Sequence, residues 1–167
     1  MIFVNIYTAI FVIVSLVIQS HPSFDVLRVA GVKPDLLFIV IIYASYTFGS
    51  FYGEVTGFIS GLLQDGISNS PLGMMTFPKV ALGFVVGMFG RSVIKNNIIA
   101  IVLLLFAASL VKGIILVFLG YIFYPSMVSA ILGIILPESF YNAILAPLLF
   151  FIFDKIYQKE IERLGSH

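Results

Sequence analysis

The sequence has no cysteine and no tryptophan, only two histidines, and charged residues make up just 10% of it. Each shortage excludes something. Without cysteine there is no disulfide, no thiolate nucleophile and no Cys-ligated metal, and the redox compartment leaves no trace. His21 and His167 lie far apart in sequence, one in a loop and one at the terminus, which speaks against a His-built metal site. A soluble domain has about a quarter of its residues charged, so this chain cannot present an ordinary surface to water. Nine Lys plus Arg against eight Asp plus Glu leave a formal net charge of +1, with no basic field for nucleic acid and no acidic tail. What is there is apolar: 60% of 167 residues are hydrophobic and the mean hydropathy is +1.14. The length suits one domain, but a single core could not hide so much apolar surface, and the chain is expected to dissolve in lipid.

A helix that crosses a membrane needs about 20 mostly apolar residues. On that measure the chain predicts an all-α, polytopic integral membrane helix bundle of six transmembrane helices, one domain over 1–164. The spans fall at about 2–20, 36–48, 51–65, 72–90, 98–124 and 130–153. The first run has no basic flank or small-residue cleavage site and reads as a retained span, not a signal peptide. Ser23 to Asp35 is a loop, with a short interfacial turn expected at Phe24 to Val29. Leu36 to Leu63 is too long for one untilted span. It reads as two, because an aliphatic run gives way to a Gly-rich one at Gly49-Ser50. Gln64 to Gly73 is a polar turn with Gly66, Asn69 and Pro71.

Lys and Arg accumulate in cytoplasmic loops. With both termini cytoplasmic, Arg91, Lys95, Lys155, Lys159 and Arg163 lie inside, and Arg28 and Lys33 outside. A five-span reading would put the 91–97 loop and the C-terminal segment on opposite faces and weaken that asymmetry. The tail 154–164 sets Tyr157, Ile161 and Leu164 along one stripe. It reads as a cytoplasmic amphipathic helical end that anchors the last span, with a dedicated partner helix as the alternative. Gly165-Ser166-His167 has the look of a cloning remnant and is assigned no role.

Gly49, Gly53, Gly57 and Gly61 recur at every fourth position, with Gly83 and Gly87 repeating the device on the fourth span. Such small-xxx-small rows let helix backbones approach closely in lipid, within the chain or towards another protein. Glu54 and Asp65 fall near the same face, about 16 Å apart along a helix, too far for a catalytic dyad. Asp65 is expected to cap the outer end of the third span. Lys79, Lys112 and Glu138 are the costly residues, since a charge at membrane depth is rare and marks either a function or a buried pair. Glu138 is expected to pair with Lys112 or Lys79, with Pro137 and Pro78 loosening the backbone beside the charges. No phosphate-binding, nucleophile-elbow, HExxH or dinucleotide motif occurs. No catalytic, cofactor-binding or metal-binding residue is assigned, and the chain reads as no enzyme.

The stretch from Gly31 to Gly73 resembles the signature region of the bacterial rod shape-determining MreD family. Pro34-Asp35 opens an apolar span, Gly57, Gly61 and Asp65 form G-x-x-x-G-L-L-x-D, and Leu72-Gly73 opens the next span. Length, six apolar runs and a short charged C-terminus extend the likeness over the chain. The resemblance implies a non-enzymatic, multi-pass scaffold of the bacterial inner (cytoplasmic) membrane, part of the rod complex that builds lateral peptidoglycan and keeps cell shape. Its implied partners are a bitopic MreC-like protein, an MreB-like cytoskeletal protein, a RodA-type glycosyltransferase with its class B penicillin-binding transpeptidase, and membrane lipid. On this analogy Pro34, Asp35, Gly57, Gly61, Asp65, Leu72 and Gly73 are fold or interface determinants; Gly49, Gly53, Lys79, Lys112 and Glu138 rest on the residues alone. The family is also thought to share a fold with the substrate-binding components of energy-coupling-factor vitamin transporters, which makes such a subunit the alternative. A small channel is weaker, because no span repeats polar residues along one face.

Overall fold

The computed structural model describes residues 2–22, 26, 28, 31–68, 70–93 and 97–165. Most of the interfacial turn expected at Phe24–Val29 falls outside them, as do Asn69, Lys95, Ser166 and His167, and the side chains of Ile161 and Leu164. The described residues form six helices and no strand: α1 (Ile2–Ser20), α2 (Leu36–Phe48), α3 (Ser50–Ile67), α4 (Thr76–Val93), α5 (Ile98–Phe123) and α6 (Val128–Gly165). Three are long and apolar enough to cross a membrane, over Phe3–Ser20, Ile98–Phe123 and Val128–Gln158; Leu36–Phe48 and Thr76–Gly90 are shorter apolar helices.

Local chemistry sets the boundaries. The Asp35 carboxylate accepts from the Phe38 amide at 3.0 Å and starts α2, and Asn97 does the same for α5 through the Ile99 amide. A single residue, Gly49, reverses the chain between α2 and α3. Its φ of 96° is a conformation glycine adopts at little cost, so Gly49 is the turn and does not share the helix face of Gly53, Gly57 and Gly61. The fourth helix begins at Thr76, four residues beyond the expected start at Leu72. Pro78 therefore stands in its first turn, where the missing N–H has no intrahelical acceptor to lose. It starts a helix and does not loosen one. Pro137 and Pro147, by contrast, lie inside α6.

Polarity is arranged inside out. Phe3, Phe51, Phe118, Ile144 and Phe151 are exposed, whereas Thr8, Ser45, Ser60, Asp65, Lys79, Lys112, Ser139 and Asn142 are buried. Lipid tolerates the first pattern and penalises unpaired polar groups, which explains why buried hydroxyls bond back to their own helices, Ser45 to Ile41 O and Ser139 to Ile135 O. Helix α2 is the axis of the bundle. Every residue from Leu37 to Tyr46 is buried, against α4, α3, α1 and α6. Helices α3 and α4 form the most extensive pair, followed by α5 and α6, while α4 and α5 touch little.

Since lipid tails are as apolar as leucine, close packing has to hold helices together. A Cβ at Gly57 would lie 2.8 Å from the Lys79 carbonyl oxygen, and one at Gly83 2.6 Å from that of Gly53. The glycine row thus packs within the chain, α3 on α4. Helix α6 continues without interruption into the charged tail, and Tyr157, the first residue of the expected stripe, packs into the bundle. It is buried among Tyr7, Phe11, Tyr43 and Phe48.

Candidate functional site: a buried charge cluster

The end of the bundle that carries Asp35 gathers most of the chain's buried charge. Lys112, in the middle of α5, points its ammonium at two carboxylates: Asp35 Oδ2 at 2.7 Å and Glu138 Oε1 of α6. The same ammonium sits 4.8 Å from the centroid of the Phe38 ring. Of the two partners expected for Glu138, the structure brings it to Lys112 and not to Lys79. Asp35 is the third member, and sequence reasoning had placed it in a loop, apart from the charges at membrane depth.

Asp35 ties four helices to one another. Its Oδ1 accepts from the Phe38 amide and from Gln19 Nε2 of α1 at 3.1 Å, while its own amide donates to Asn142 Oδ1 at 2.8 Å. Asn142 in turn donates to Ser109 Oγ of α5. Burial alone would raise the pKa of the Asp35 carboxyl; Lys112 beside it, with Lys79 adding to the field, holds it below the ordinary carboxylate range. Asn142 is a member of this network that sequence reasoning missed. The available signal was its place four residues after Glu138, a polar side chain on the same face of an apolar run.

Asp65 serves a different joint. From the last turn of α3, where a negative charge opposes the helix dipole, its carboxylate reaches across to the start of α4. It accepts from Ser70 Oγ, the Gly73, Met75 and Thr76 amides and Thr76 Oγ1, at 2.6 to 3.2 Å. It caps the following helix, not its own. Gly73, with φ 98°, makes the turn that presents these amides; Leu72 beside it is exposed. Pro34 contributes its carbonyl oxygen, which accepts from Gln19 Nε2 at 3.3 Å. Glu54 is half-buried near the other end of α3, away from Asp65.

Lys79 is 1% exposed, and its ammonium has no hydrogen-bond partner among the described residues. A second polar cluster lies at the opposite end of the bundle, where the Tyr52 hydroxyl lies 3.0 Å from Asn5 Oδ1 and 3.1 Å from Thr8 Oγ1, and Thr8 shares a hydrogen bond with the Tyr157 hydroxyl. Beside it a groove of about 460 Å³ opens sideways between α1 and α3, over Ala9, Val12, Thr56 and Ser60. Among the described residues no group of three or more His, Asp or Glu is placed to hold a metal ion.

These features define a lipid-embedded helical protein in which most buried ionisable groups join helices to one another. The family model of the rod shape-determining protein MreD matches residues 1–160, and the chain belongs to that family. Comparison with curated proteins and with solved structures finds no match to either.

Proposed function

We propose that this protein is a non-enzymatic scaffold of the cell-elongation complex, crossing the bacterial inner membrane six times with both termini in the cytoplasm. Asp35, the Ser68–Met75 turn and the α5–α6 connection would then face outward. The observation that carries the reading, beyond family membership, is the closed pairing of Lys112 with Asp35 and Glu138. These charges serve helix-to-helix joints, which suits a protein that works by holding partners through its lateral surfaces. A bitopic MreC-like protein is the first expected partner. An MreB-like cytoskeletal protein and a RodA-type glycosyltransferase with its class B transpeptidase follow in the same assembly, which organises lateral peptidoglycan synthesis.

The test is co-purification in detergent with a bitopic, coiled-coil MreC-like protein, followed by depletion in cells. Stable association and rounding of depleted cells support the scaffold. Unchanged shape with impaired vitamin uptake would replace it with the transporter-subunit reading.

A further inference from the structure

The charges around Asp35 balance in number but not in pairing. Asp35 and Glu138 face Lys79 and Lys112, yet both carboxylates sit on Lys112, leaving Lys79 buried without a hydrogen-bond partner among the described residues. An ammonium held out of water in this way is costly. A bound anion would not repair the account, because it would make a neutral set negative beside Asp65. The carboxylates within reach of its field differ in availability. Asp65 is occupied by five donors, and Glu138 stands on α6, which barely touches α4, whereas Asp35 caps α2, the helix packed along α4. Asp35 holds one oxygen, Oδ1, on the Phe38 amide and Gln19, whereas among the described residues its Oδ2 has Lys112 alone.

We propose that Asp35 Oδ2 is an exchangeable acceptor, passing between Lys112 on α5 and Lys79 on α4, and that the exchange shifts the α5–α6 hairpin against α4. The packing provides room for it. Helices α4 and α5 touch little, and at the Asp35 end a cleft of about 300 Å³ opens between the turn that leads into α4, with Ser70, Met74 and Met75, and the α5–α6 hairpin, with Leu116, Tyr124 and Ile131. Met75 and Leu116 each stand four residues, one helical turn, from Lys79 and Lys112 respectively, so the two candidate donors lie beneath opposite walls. Methionine side chains repack readily as such walls move. The bond from the Asp35 amide to Asn142 survives either pairing and acts as the pivot.

The test uses the full chain in detergent. In Lys112→Met/Glu138→Gln only Asp35 and Lys79 remain, as a balanced pair. This double variant is expected to fold, and adding Lys79→Met, which strands the Asp35 carboxylate, is expected to lower the folded yield roughly tenfold. Because the native chain has no cysteine, spin labels at Leu72→Cys and Tyr124→Cys report the cleft mouth alone, and their distance distribution is expected to shift between the unsubstituted and double-variant proteins. The proposal is overturned if the double variant does not fold, if Lys79→Met adds no further loss, or if the label distances stay the same.

Discussion

Lys112 answers two carboxylates and each of them answers only one lysine by direct contact, so the three side chains are not equivalent to lose. Glu138→Gln leaves Lys112 on Asp35 and is expected to cost about 1 kcal/mol, a charged hydrogen bond exchanged for a neutral one. Lys112→Met strands a buried carboxylate and is expected to cost about 3 kcal/mol. Thermal midpoints in one detergent should therefore fall in the order unsubstituted, Glu138→Gln, Lys112→Met; the reverse order for the two variants would mean that Lys112 is not the hub. Asp65→Asn, which replaces an anionic acceptor of five donors with an amide, is expected to cost about 2 kcal/mol by the same measurement.

Among the elements, the α3–α4 pair makes the sharpest demand on sequence. Gly57→Leu would drive a side chain into the Lys79 backbone and is expected to abolish the folded, monodisperse protein in size-exclusion chromatography. Gly66→Ala on the same helix meets open space and is expected to be neutral or to stabilise by about 0.5 kcal/mol. A general intolerance of glycine replacement would make these two variants behave alike; the close approach makes them differ. The helical face was legible in the sequence, since Gly53, Gly57 and Gly61 recur with a helical spacing. What was not legible is that Gly49, in the same register, is the turn, because spacing carries no record of φ. The start of α4 was also misplaced: Leu72 and Gly73 are apolar and look like span, and the carboxylate that organises Gly73, Met75 and Thr76 sits eight to eleven residues before them, across a turn. Pro78 was the usable clue, a residue at home in a helix's first turn.

At the scale of the whole molecule, apolar runs made the all-helical, membrane-embedded character readable, and the depth of Lys79, Lys112 and Glu138 marked where helices would meet. The partner they were missing, Asp35, was hidden because a charge at a loop boundary looks solvated until a helix from elsewhere in the chain closes over it. The proposed topology has its own test. In intact cells, single cysteines at Leu72 or Tyr124 are expected to react with a membrane-impermeant thiol reagent, and one at Lys155 only after permeabilisation; labelling of Lys155→Cys in intact cells would invert or break the six-span arrangement.

Helix α6 runs unbroken from Val128 to Gly165, so its charged stretch 154–165 extends about 18 Å as a continuation of an apolar helix already fixed in the bundle. A short charged tail would ordinarily be a fluctuating chain, and a protein binding it would lose affinity to the entropy of ordering it. Here that ordering is completed on folding, before any encounter, with Tyr157 seated in the aromatic cluster at the base. A protein approaching from that side meets a preformed helix and not a flexible chain, so the direction in which it is held follows from that of α6.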